Sequence, residues 1–414
     1  MKAFAAGRRD KMTFLRRFQL HLTAWAAAAL LLPTAAALFY AGRLPDTYLI
    51  RQGEGLHITS VLPITAVPTT AAAQTAQAGN VPQTASLRLF GLFPIKNVRM
   101  QPTEEVMLVP CGAPFGVRLL MGGVMVVGFG EVAGRDGHCC PAVDAGIEVG
   151  DIIVGVGGRE IRSTEDFRAA AAGGEALSLT VMRSGALQEL TLLPVYSVTQ
   201  DCCQTGLWVR DSAAGIGTLT YFDPENGHFG GLGHPICDPD TGECLPLAQG
   251  EADVVTISGV IRGQAGNPGQ LQGYFAADAP IGTLSCNSEA GVFGTLSAIP
   301  QDIPAVPMAL QQEVVTGDAV ILATLDGTSP EPYTVEITAL DYTSSTRNMI
   351  IHVTDPRLLE TAGGIVQGMS GSPVLQNGHL VGAVTHVFVS DPSQGYGIFA
   401  EHMYAYTQSA ANIE

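Results

Sequence analysis

"GGIVQGMSGSPVLQNGHLVGAVTH" occupies residues 363–386. Apolar residues flank Asn377-Gly378, the residue pair that favours a type I′ turn, so this stretch reads as strand, tight turn, strand. The loop feeding the hairpin, QGMSGSP, sets Ser370 between glycines. Gly368 and Gly371 can take backbone angles that other residues resist. Such a loop can aim two amides at one point beside the serine oxygen. An acyl-transfer site needs that arrangement, because negative charge gathers on the substrate carbonyl oxygen in the transition state.

The chain around this loop favours β structure. It has 414 residues, 46% of them apolar and 14% charged, with 49 glycines and 25 prolines. That mixture supports a buried core and many turns, and the length allows two or three domains. Between residues 198 and 414 helix signals are nearly absent. "AAGIGTLTYFDPENGHFGGLGHPI" (213–236) reads as strand, turn, strand, and short strands follow at "DVVTISGVI", "DAVILATL", "YTVEITAL" and "NMIIHV". Regular short strands of this kind predict a closed or sandwiched β architecture.

Upstream, "AGIEVGDIIVGVGGREIRSTEDFRAAAA" (145–172) gives a buried strand, a Gly157-Gly158 turn and a helix capped by Ser163. A second hairpin turns at Ser184-Gly185. The order resembles a PDZ domain over 105–197, a module that takes extended peptides as an added strand. Its peptide-binding loop is expected at Phe115, Gly116 and Val117.

Net charge is −17. An acidic body does not suit nucleic acid, whose phosphates want a basic face. The basic residues Lys2, Arg8, Arg9, Lys11, Arg16 and Arg17 precede an apolar stretch at 18–42, with Asp10 the one acid among them. This reads as a cytoplasmic tail (1–17) and a transmembrane anchor or signal (18–42), with everything beyond on the extracytoplasmic side. Residues 43–104 read as a small β region interrupted by an uncharged, mobile linker at 60–85. Eight cysteines are then allowed to pair. Cys237 and Cys244, either side of a DPDTG turn, are the best local pair.

A serine hydroxyl needs a base. Of nine histidines, His234 in "GGLGHP" ends a hairpin strand, and His386 closes the hairpin after Ser370 and is the alternative. Asp355 in "HVTDPRLL" leaves an apolar strand and could hold an imidazole tautomer, although Asp before Pro is also an ordinary turn residue.

"GLWVRDSAAGIGTLTYFDPENGHFGGLGHPI" and "TDPRLLETAGGIVQGMSGSPVLQNGHLVGAVTHVFVSDPSQGYGIFAEHM" resemble the stage IV sporulation protein B family of endospore-forming bacteria. The loop and hairpin are also similar to chymotrypsin-like peptidases. The resemblance implies a mainly β chain with an N-terminal membrane helix, a PDZ domain, and a chymotrypsin-like β-barrel serine peptidase over 198–414. It places the catalytic roles on His234, Asp355 and Ser370, with the backbone of Gly368, Met369 and Ser370 holding the oxyanion and no metal or cofactor. It implies cleavage of a membrane-bound regulatory protein, and of itself, between forespore and mother cell, with self-association through the PDZ domain. The competing readings are a general envelope quality-control peptidase and a non-catalytic PDZ scaffold. An aspartate only 15 residues before the serine departs from the chymotrypsin pattern.

Overall fold

The computed structural model describes residues 25, 31–68, 83–275, 280–301 and 303–411. The chain is mainly β and divides into two compact units. The smaller takes residues up to 105 together with 310–315 and 341–343. Its five strands are β1 (Thr47–Arg51), β2 (His57–Ile58), β3 (Ile64–Pro68), β4 (Gln83–Leu89) and β5 (Phe93–Thr103), in the order β1-β5-β4-β3-β2. Tyr48, Leu87, Leu89 and Val98 form its core.

Two sequence expectations change here. The ends of the expected linker 60–85 are paired strands, since Ile64↔Leu89 through Pro68↔Ala85 bind β3 to β4; residues 69–82 lie outside the described residues. Residues 31–41 are helical, but residues 18–24 and 26–30 of the expected 18–42 span lie outside the described residues. No described helix is long and apolar enough to cross a membrane.

The larger unit is built on two 16-residue strands. After β6 (Met107–Pro110) comes β7 (Pro114–Phe129), then the small hairpin β8 (Val132–Gly134) and β9 (Gly137–Cys139). Helix α1 (Pro141–Asp144), β10 (Ile152–Val156), β11 (Arg159–Glu160), α2 (Thr164–Ala171), β12 (Leu177–Arg183) and β13 (Ala186–Leu192) follow. Ser163 caps α2 as its sequence predicts: its hydroxyl accepts from the Asp166 amide while the Asp166 carboxylate accepts from the Ser163 amide. A cap of this kind is worth about 1 kcal/mol. Val124, Ile153, Phe167, Leu179 and Val181 form the core of this module.

A short pair, β14 (Val195–Ser197) and β15 (Cys202–Gln204), leads to β16 (Leu207–Phe222). Then come β17 (His228–Gly231), β18 (Gln249–Ile261), β19 (Gln270–Phe275), β20 (Gly282–Ser288), β21 (Gly291–Leu296) and β22 (Val306–Pro307). The far half of β7 pairs with β10 and the start of β16, inside the PDZ-like module. Its near half lies between β16 and β18. The module and strands β16 to β21 therefore share one continuous sheet.

This corrects the expected peptide-binding loop. Phe115, Gly116 and Val117 sit near the start of β7, opposite Gly217, Ile216 and Gly215 on one side and Val254, Asp253 and Ala252 on the other. Phe115 is fully buried against Phe229. A strand paired on both edges has no ladder left to offer a peptide.

Residues 317–399 close a six-stranded barrel in the order β23-β24-β25-β28-β27-β26. These are β23 (Gly317–Ala323), β24 (Glu331–Leu340), β25 (Met349–Val353), β26 (Pro373–Gln376), β27 (His379–Phe388) and β28 (Asp391–Phe399). Helix α3 (Pro356–Thr361) interrupts it and α4 (Ala400–Ala411) ends it. Asn377 and Gly378 take φ of 52° and 80°, the left-handed pair that a type I′ turn requires.

Candidate active site

The site lies where the barrel meets the sheet. Ser370 comes from the loop between α3 and β26. Two threonines on β16 hold that loop. The Thr218 amide donates to the Ser370 carbonyl at 2.9 Å, and its hydroxyl donates to the Gly368 carbonyl at 2.8 Å. The Thr220 hydroxyl donates to the Gly371 carbonyl at 2.8 Å. On the other side the Gly371 amide donates to the Val384 carbonyl at 2.8 Å. Gly371 has φ of 96°, and a Cβ there would lie 1.9 Å from the Thr218 carbonyl oxygen. Glycine is required on both counts.

Among the described residues, the amides of Gly368 and Ser370 make no hydrogen bond. The Met369 amide instead donates to the Val366 carbonyl at 3.1 Å, and the Met369 side chain is fully buried. The two free amides are therefore the available oxyanion donors. Met369, expected with them, is occupied by the turn that keeps Gly368 bent.

His234 follows β17. Leu232 and Gly233 both have positive φ, 66° and 70°, which swings the chain out of the ladder and into a cleft of about 450 Å³. Ser370, Thr385 and His386 line the same cleft. The Nδ1 of His234 lies 2.8 Å from the Pro235 carbonyl. A carbonyl only accepts, so Nδ1 carries the proton and Nε2 keeps its lone pair. Burial pushes the His234 pKa down, and the bond to Pro235 partly opposes it. His386 packs beside it, ring centroids 4.8 Å apart. Its pKa falls to about 4, first through burial and then through the charges of His234 and Arg347. Burial keeps both rings neutral, and what distinguishes His234 is the Pro235 carbonyl that fixes its tautomer. The Ser370 hydroxyl donates to the Thr385 carbonyl at 2.7 Å, so it must turn before it can pass a proton to an imidazole.

The structure does not bring Asp355 into this cleft. Asp355 caps α3, accepting from the Arg357 amide at 2.9 Å, and pairs with the Arg357 guanidinium at 3.0 Å. It also accepts from the Thr334 amide at 3.3 Å. Arg357 holds its carboxyl below the usual range. The D-P-R order explains this placement: Asp at the cap, Pro in the first turn, and an arginine reaching back. The group that holds the His234 tautomer is the Pro235 carbonyl. Sequence reasoning missed that carbonyl, and it missed Thr218 and Thr220. The usable signal was the Thr-x-Thr spacing in "GTLTY", which puts both hydroxyls on one face of a strand.

Residues 201–404 match the family described as SpoIVB peptidase S55, and residues 140–183 match a PDZ domain. No curated protein matches the chain. Among solved structures it is similar to the HtrA-type protease AlgW with decapeptide, at 13% identity and TM-score 0.29, over 49% of this chain and 55% of that one. The chain thus spans about half the length of that structure. It is also similar to the active form of the Rv3671c protease from M. tuberculosis, at 18% identity and TM-score 0.28, over 48% of this chain and 74% of that one. Likenesses of this size carry no weight for function beside the family match. His234 and Ser370 thus fall within a match to the SpoIVB peptidase S55 family, with a PDZ match ahead of it, and together these support a PDZ-bearing serine endopeptidase.

Proposed function

We propose that this endopeptidase works outside the cytoplasm in sporulation signalling, cutting a membrane-bound regulatory protein and also itself. The observation that carries the catalytic part is the shared cleft: a serine hydroxyl, an imidazole with its Nε2 lone pair free, and two unengaged amides. In this mechanism Ser370 leaves the Thr385 carbonyl, passes its proton to His234 Nε2 and attacks the scissile carbonyl. The amides of Gly368 and Ser370 receive the oxyanion, and each such donor typically supplies about 3 kcal/mol. The Pro235 carbonyl steadies Nδ1–H as the imidazolium forms. His234 then protonates the leaving amine.

Substrate tails dock in a groove of about 340 Å³ between α2 and the start of β16, lined by Phe167, Ala171, Leu207 and Trp208. Trp208 is 65% exposed and supplies apolar surface for an extended peptide. A second copy of the chain is the other partner suited to this groove. Self-cleavage falls within 60–85, the uncharged stretch.

The test is expression of residues 44–414 with and without Ser370→Ala, followed by N-terminal sequencing of the products. Wild type should release fragments beginning within 60–85, and the variant should stay intact. Processing that persists in Ser370→Ala sinks the catalytic assignment. Broad digestion of unfolded proteins would replace signalling with quality control.

A further inference from the structure

We propose that Cys237 and Cys244 form a reversible cross-strand disulfide that braces the loop carrying His234. The two residues face each other as an isolated antiparallel bridge. Their frame is set by two backbone bonds, Asp238 N to Glu243 O and Leu245 N to Ile236 O, both 2.9 Å. Bonds from the neighbours on each side make the cysteines a non-hydrogen-bonded pair. In that type of pair the Cα atoms come within about 4.5 Å, inside the span of roughly 4.4–6.8 Å that a disulfide bridges.

Other groups also fix this frame, and one of them, Asn287, donates to the Cys244 sulfur at 3.5 Å. Asp238 is fully buried, and its carboxylate accepts from the amides of Asp240 and Thr241, each at 3.0 Å, and pairs with Arg210. Asn287 donates to the carbonyls of Ile236 at 2.9 Å and Leu245 at 2.8 Å, and accepts from the Ile236 amide at 2.9 Å. The hairpin is therefore pre-set for the bond. Both thiols are exposed, so an oxidant reaches them. Burial raises the Cys244 thiol pKa, with smaller contributions from Cys237 and then from Cys286, which stands next to Asn287. Cys286 is the internal competitor for pairing.

The chemistry balances with a low-molecular-weight disulfide as oxidant. One cysteine thiolate attacks it and releases one thiol, leaving a mixed disulfide. The second cysteine thiolate displaces the other half. The net change is two protein thiols oxidised to one S–S bond and one small disulfide reduced to two thiols. The consequence for the site rests on the peptidase reading above. Cys237 lines the catalytic cleft three residues after His234, and between them lies Pro235, whose carbonyl holds the imidazole. Closing the ring stiffens that carbonyl's support and favours the reactive tautomer.

The test uses the full chain, reduced and then exposed to glutathione disulfide at alkaline pH, followed by alkylation and peptide mass spectrometry. The expected product is a 237–244 cross-link, retained in Cys286→Ser. Free, alkylatable Cys237 and Cys244, or a Cys237–Cys286 link in the wild type, overturns the proposal. Labelling of Ser370 by a fluorophosphonate then reads the coupling: severalfold faster in the oxidised form, reversed by dithiothreitol, and insensitive to redox in Cys244→Ser. A confirmed cross-link with equal labelling rates refutes the brace. A confirmed cross-link with no labelling in either state counts against the peptidase reading, since the disulfide mapping does not depend on activity.

Discussion

Thr218→Val separates a structural account of the nucleophile loop from a catalytic one. The substitution keeps the side-chain shape and removes one hydroxyl, at a residue only 2% exposed. That hydroxyl reaches the Gly368 carbonyl at 2.8 Å. A net hydrogen bond is worth about 1 kcal/mol, and leaving a buried carbonyl unpartnered costs about 1–3 kcal/mol. Stability should fall by an amount in that range, seen as a lower Tm in calorimetry. The freed Gly368 carbonyl can turn, and the adjoining amides then drift from the oxyanion position. Complete loss of one such donor lowers kcat by about 10²–10³-fold. A partial tilt should therefore lower kcat by about 10- to 100-fold and leave KM within about twofold, because only the transition state uses those amides. Thr218→Ser keeps the hydroxyl and should recover most of kcat. A Thr218→Val enzyme with a lower Tm and an unchanged kcat would refute the reasoning, since it would make the threonine a packing residue only.

Asp355→Asn keeps a residue that caps equally well and removes the ion pair with the half-exposed Arg357, lowering stability by about 0.2–1 kcal/mol and leaving kcat/KM near wild type; a loss of activity of about 10³-fold or more with an intact Tm would return Asp355 to a triad role. His234→Ala should lower kcat by about 10²–10⁴-fold, the usual share of a general base, while His386→Phe should keep most activity in the same peptide assay. The acid limb of kcat/KM should lie below the ordinary histidine value near 6.5, because burial lowers the His234 pKa and the neutral ring is the base. The same shifts act on stability. His234 and His386 bind protons more weakly folded than unfolded, so for His386 stability rises with pH between about 4 and 6.5. Denaturation midpoints that fall across this window as pH rises would contradict that sign.

Much of this protein was legible in the residue order. Short-range rules fixed the hairpin at Asn377-Gly378, the capped helix at Ser163 and the glycine-bounded serine loop, because a left-handed φ or a cap bond depends on residues a few positions apart. The sequence also marked His234 as the base and His386 as the alternative, although His386 lies inside β27 and not at its end. It could not say that one strand, β16, runs from the PDZ-like module to the serine loop, nor that Phe115–Val117 are buried between two neighbours. Those are facts of long-range pairing, and strand partners are chosen by which apolar faces can be covered together. The role of Asp355 shows the same limit. Its local neighbours, Pro356 and Arg357, suit a helix cap and a guanidinium pair, and only the tertiary fold decides that Asp355 stays out of the cleft shared by His234 and Ser370.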